Sequence, residues 1–132
     1  MHEILLIVLG AEEPMLKELK GMEYTLEILR AFHLNPGQHD SKHIAELVEN
    51  GGRMQPSTSY IAKILPRMKK VGLLQSSELG YQLVSPIDEI TVDIVLDICP
   101  MPEGSSPLYQ LCLELKRAVS LTTIDEFYNF ES

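Results

Sequence analysis

Tyr60, Lys63, Arg67 and Lys70 follow one another at intervals of three, four and three residues, the spacing that stacks side chains along one face of an α-helix. Three of the four are cations, and Ser57, Thr58 and Ser59 place hydroxyls at the start of the same segment. A helix face rich in fixed cations, with hydroxyls and free amides at its N-terminus, has the chemistry to hold phosphate oxygens. The charge distribution sharpens the point. Residues 53–77 contain five basic side chains and no carboxylate, whereas residues 1–52 sum to −5 and residues 78–132 to −8. In a chain of net charge −8, one acid-free segment concentrates positive potential where a polyanion docks. Ser57, Ser59, Tyr60, Lys63, Arg67 and Lys70 are therefore the candidate DNA contacts. The plainer alternatives are an ordinary solvated face for the cations and a half-buried packing role for Tyr60.

Other residues capable of chemistry offer less. His39 and His43 are four apart, but no further ligand has metal-site spacing, so no metal is expected. Asp88 with Glu89 and Asp125 with Glu126 sit at turns and helix starts, where the helix dipole explains them. Thr123 and Glu126 have the spacing of a capping box. No nucleophile with a base, and no glycine-rich phosphate loop, is present, and the chain does not read as an enzyme. Cys99 and Cys112 do not make a disulfide framework and suit a reduced, cytoplasmic protein.

The elements that must position the basic face can be read from apolar spacing. Leu16, Leu19, Met22, Leu26, Leu29 and Phe32 predict an amphipathic first helix opened by Pro14, with a break conceivable at Gly21. Asn35-Pro36-Gly37 ends it. Ser41 is expected to cap a short second helix with Ile44, Leu47 and Val48 inward, stopped by Asn50-Gly51-Gly52. A third helix starts at Ser57 on a core stripe of Ile61, Ile64, Leu65 and Met68. Pro66 must either kink it or be compensated by packing. Two strands, 73–76 and 81–84, follow as a hairpin. Thr91 can cap a short helix bearing Ile94, Val95 and Ile98.

At either end the chain is apolar. Residues 4–9 are six consecutive aliphatics, too few for a membrane span and flanked by Glu3, Glu12 and Glu13 rather than by a basic leader. Near the other end, Leu108, Leu111, Leu115 and Val119 form a helical stripe opened by Ser106 and Pro107, with Leu113 and Leu121 outside it. That is more apolar surface than one small domain needs to shield, and a twofold dimer interface is expected there. The resulting division is an apolar extension (1–13), a winged helix-turn-helix domain (14–98), a variable loop (99–106) and a dimerisation helix with a C-terminal turn (107–132). The fold class is mainly α with a small β-hairpin wing.

The run STSYIAKILPRMKKVGLL, the segment Gly80-Tyr81-Gln82-Leu83 and the block SPIDEITVDIV resemble a family of bacterial winged-helix transcription regulators. That family includes the nitrite-sensitive repressor, the iron–sulfur-cluster regulator and the cysteine-metabolism repressor. Glu23-Tyr24 with Leu26 and Leu29 is similar to its first helix, and Ile44-Ala45-Glu46 to its second. The similarity extends over residues 16–130. It implies homodimers on palindromic operators, with the third helix in the major groove and the wing beside it. Two departures stand out. The wing tip, Ser76-Ser77-Glu78-Leu79-Gly80, has no cation, and Gln75 and Gln82 stand where cations are expected, so the wing should be dispensable for binding. Several members hold an iron–sulfur cluster on three closely spaced cysteines, whereas this chain has only Cys99 and Cys112, and no cluster is expected. Two functions fit: a dimeric DNA-binding regulator, a repressor in its simplest form, or a degenerate winged-helix module that binds a protein partner and has little DNA affinity. The effector and operator are not legible.

Overall fold

The computed structural model describes residues 13–98, 110, 113, 114, 116–118 and 121–131, with the side chains of 13–19 left aside. Helix α1 spans Glu13–Leu34, α2 Ser41–Asn50 and α3 Thr58–Lys70. A hairpin of β1 (Leu74–Ser77) and β2 (Gly80–Leu83) follows, then a 3-10 turn at Ile87–Glu89, α4 at Val92–Leu96 and a second 3-10 turn at Ile124–Glu126. This is the expected winged helix-turn-helix, mostly helical with one two-stranded antiparallel hairpin. Residues 1–12 of the expected apolar extension (1–13), the loop at 99–106, both cysteines and the stripe Leu108, Leu111, Leu115 and Val119 lie outside the described residues.

Helix α1 runs unbroken through Gly21, whose carbonyl accepts the Thr25 hydroxyl at 2.9 Å. Its second half is buried almost all round: Tyr24, Ile28, Leu29, Ala31 and Phe32 belong to the core, and Thr25, Glu27 and Arg30 are buried as well. Ile44 and Val48 of α2 close one side of it, together with Ile61, Ile64, Leu65 and Met68 of α3. Residues of the C-terminal segment close the rest. Ile124 donates its amide to the Ile90 carbonyl at 2.9 Å, Val92 donates to Thr122 at 2.8 Å, and Ile124 and Phe130 join the same core.

Local details correct several expectations. The N-cap of α2 is Asp40, not Ser41. Asp40 takes the extended backbone a cap needs, and its carboxylate accepts the His43 amide at 2.8 Å. The hairpin lies one residue off the expected bounds, with Ser77 opposite Gly80 around Glu78-Leu79. Thr91 and Thr123 stand at cap positions, yet neither side chain caps a backbone amide. Their hydroxyls turn to the carboxylates of Asp93 and Asp125 instead, so the Thr123–Glu126 capping box does not form. Pro66 is accommodated inside a continuous α3. It and Ala62, whose carbonyl loses its partner there, are both exposed, so water can take that hydrogen bond.

Gly80 is required by its surroundings. Its φ of +124° is a left-handed conformation, and an added Cβ would sit 2.5 Å from the His39 carbonyl oxygen. The close approach exists because His39 and Tyr81 exchange both backbone hydrogen bonds, at 2.9 and 2.8 Å. The connection after α1 thus adds a third strand-like edge to the wing.

Candidate nucleic-acid interface

Ser57 caps α3: it is extended (φ −93°, ψ 122°) and its hydroxyl accepts the Tyr60 amide at 3.3 Å. The same hydroxyl lies 3.0 Å from that of Ser59. The Ser57 amide, which a free helix end would leave to water or a ligand, donates to the Tyr24 hydroxyl at 2.8 Å. Tyr24 is only 1% exposed and its ring packs against that of Tyr60, tilted by 41° with centroids 4.4 Å apart. Ser57 is exposed and Tyr60 half-buried, and both help to hold the start of the helix in place.

Lys63, Arg67, Lys69 and Lys70 are all exposed. Ile61, Ile64, Leu65 and Met68 bury the opposite side of the helix, so Lys63, Arg67 and Lys70 share a solvent-facing side with Ser59. No ion pair involves any of the four cations among the described residues, where Arg30, Arg53, Lys116 and Arg117 take the pairs. With no carboxylate paired to them among the described residues, the field of these cations is free to act on an incoming anion.

The fifth cation of the acid-free segment behaves differently. Arg53 is drawn away to Glu27, at 3.5 Å, and to the carbonyls of Asn129 and Glu131, at 2.5 and 3.0 Å. Sequence counting placed it with the basic helix because Glu27, Asn129 and Glu131 are far from it along the chain. The basic face therefore rests on Lys63, Arg67 and Lys70 of α3.

The wing carries Gln75 opposite Gln82, and the Gln75 and Gln38 amides both donate to Gln82 Oε1, at 3.4 and 3.3 Å. The Ser77 hydroxyl donates to Gln38 at 3.2 Å. At the tip, Leu79 is 76% exposed beside Glu78. Elsewhere, His39 and His43 face each other through Nδ1 at 3.0 Å, and His39 Nε2 meets the Asn35 carbonyl at 2.7 Å. Among the described residues no group of three or more His, Cys, Asp or Glu side chains could hold a metal. A groove of about 720 Å³ between residues 86–88 and 125–131 is lined in part by Asp88, Asp125, Glu126 and Glu131, whose carboxylates would repel phosphate. No helix among the described residues is long and apolar enough to cross a membrane.

Solved structures share this architecture. CymR of B. subtilis, described as its global cysteine regulator, superposes with a TM-score of 0.56 at 21% identity over 85% of this chain and 95% of that one. The oxidized form of Staphylococcus aureus CymR gives 0.52 at 25% identity, covering 88% and 95%. IscR of T. potens gives 0.50 at 21% identity, covering 75% and 72%. No family model and no curated protein matches the chain. These neighbours match the winged-helix regulators that the sequence resembles.

Proposed function

We propose that this chain is a transcription regulator that binds duplex DNA by placing α3 in the major groove, and that it acts as a homodimer on a palindromic operator, as a repressor in the simplest case. The observation that carries the reading is the face of Lys63, Arg67 and Lys70, exposed and without an ion pair among the described residues. The fold it shares with the CymR structures supports the same reading. Ser59 adds a hydroxyl at the N-terminal end of that face, and Ser57 and Tyr60, which also hold the helix in place, complete the proposed contacts. Such a protein works in the cytoplasm, on half-sites about 10 base pairs or a multiple apart.

The dimer contact is assigned to the stripe Leu108, Leu111, Leu115 and Val119. Leu121, at the end of the same segment, is 91% exposed, and an apolar side chain so placed fits a surface that a second subunit covers. No iron–sulfur cluster is assigned, because Cys99 and Cys112 do not make the usual thiolate set. An effector or a protein partner that controls binding fits a regulator of this kind.

Binding of the purified protein to DNA from beside its own gene, across a salt series, tests the proposal. Affinity should fall linearly on logarithmic axes with a slope of about −0.9 per neutralised phosphate. Replacing Lys63 and Arg67 with Ala should weaken binding by ~1–3 kcal/mol for each side chain that reads a base. Equal affinity in the double variant would remove α3 as the reader, and a wild-type monomer in sedimentation at micromolar concentration would remove the palindrome.

A further inference from the structure

The DNA-binding reading leaves unused one cluster of charge built around a buried carboxylate. Glu27 is 2% exposed, and its carboxylate faces Arg30 at 3.7 Å and Arg53 at 3.5 Å while accepting the Tyr128 hydroxyl. Arg30 donates through Nε and Nη2 to the Glu131 carbonyl at 3.2 and 3.1 Å. Arg53 reaches that same carbonyl and the Asn129 carbonyl as well, and its guanidinium lies 5.6 Å from the centre of the Tyr128 ring. Two arginines, one from α1 and one from the loop before α3, thus grip the backbone of a segment that is distant in sequence.

Geometry gives this grip a second consequence. Arg53 stands near the start of the 51–57 loop that delivers α3, and Ser57 stands at its end. Tyr24 holds Ser57 and Glu27 faces Arg53. Tyr24 and Glu27 are three residues apart on α1, so a single turn of that helix fixes both ends of the loop. Gly51 belongs to the same arrangement, since an added Cβ there would lie 2.7 Å from Arg30 Nη1. A buried carboxylate is tolerated only while its partners stay in place, so the cluster holds or opens as a unit.

We propose that the C-terminal segment 128–131 positions the DNA-reading helix: by holding Arg53 against Glu27 it fixes the 51–57 loop, and through the loop the angle at which α3 meets DNA. Residues 53 and 128 are positioning residues and touch no base. The consequence for binding rests on the function proposed above, whereas the coupling itself rests on the geometry alone.

Arg53→Lys and Tyr128→Phe test it in the full-length protein. The first keeps the charge facing Glu27 and the net charge of the chain, but loses the planar fork that spans two carbonyls. The second keeps the ring and loses the hydroxyl. Amide hydrogen exchange should speed up by about tenfold or more over residues 53–60 and 128–131 in either variant, with the 74–83 hairpin unchanged. The ratio of operator to non-specific DNA affinity should fall by about tenfold, with the salt slope preserved. Wild-type exchange rates at 53–60, acceleration spread evenly over the chain, or full specificity despite a loosened loop would each overturn the proposal. If Arg53→Lys fails to fold, Tyr128→Phe decides. If the wild-type protein binds no duplex, the regulator reading falls, and the exchange comparison alone upholds or overturns the positioning.

Discussion

The Tyr24 hydroxyl accepts the Ser57 amide at 2.8 Å, so a side chain from the middle of the core holds the N-cap of the helix that carries the basic face. Capping normally satisfies helix amides from within the local chain. Ser57 does this for Tyr60 and leaves its own amide to Tyr24. Tyr24→Phe would keep the ring contact with Tyr60 and free that amide. The expected cost is about 0.5–1.5 kcal/mol, since Ser57 is exposed and water can reach the freed amide, seen as a lower urea midpoint with an unchanged slope. An unaltered midpoint would mean that water replaces the hydroxyl without penalty.

Tyr128 makes stability sensitive to alkali. Burial, first, and then the hydrogen bond and charge of Glu27 push its hydroxyl well above the ordinary tyrosine range, with Arg53 opposing them. A raised value in the folded state means that the neutral phenol is favoured by folding. The associated stability is complete below the unfolded value of about 10 and is lost as the pH climbs beyond it. Denaturation at a series of pH values from 8 to 12 (roughly the span around the unfolded tyrosine value) should show a steeper alkaline loss in wild type than in Tyr128→Phe. Parallel curves would show that Tyr128 ionises freely.

At the wing, Gly80→Ala should be costly for two separable reasons. Its φ of +124° strains any side-chain-bearing residue, and the Cβ would collide with the His39 carbonyl. Strain of this kind costs about 1–3 kcal/mol, and the collision should also break the His39–Tyr81 pair. Faster amide exchange at both His39 and Tyr81 would report it. Protection retained at both positions, with wild-type stability, would mean that the connection moves to make room.

Helix boundaries and the core of α2 and α3 were legible because their apolar residues follow a single stripe: Ile44 and Val48, then Ile61, Ile64, Leu65 and Met68. Helix α1 was less so. A one-stripe reading puts Glu27 and Arg30 in water, yet both are buried, because residues 124–131 return from the far end of the chain to cover that side. Periodicity is a local signal and does not report a second covering element. The same return takes Arg53 out of the basic patch. The one residue by which the hairpin differs follows from Gly80, whose left-handed backbone lets β2 begin directly after a two-residue turn. The expected cap Ser41 gives way to its neighbour Asp40, whose extended backbone lets its carboxylate accept the His43 amide.

Lys69 and Lys70 offer the most discriminating test of the interface. They are adjacent, both exposed, and both in the last turn of α3. Removing either changes the net charge identically, and any attraction between the whole protein and DNA weakens by the same amount. One residue along an α-helix nevertheless turns the side chain by about 100°, so Lys70 projects with Lys63 and Arg67 while Lys69 projects away from them. If α3 lies in the groove by that face, Lys70→Ala should lower operator affinity and reduce the salt slope by about 1, as expected for a lost phosphate contact. Lys69→Ala should leave the slope nearly unchanged. Glu78→Ala, at a wing tip without cations, should leave affinity equal or slightly higher, since it removes a charge that repels phosphate. Equal losses for the two lysines would show that the helix acts only as a diffuse positive charge; a larger loss for Lys69 would rotate the reading face toward the side of Ala62.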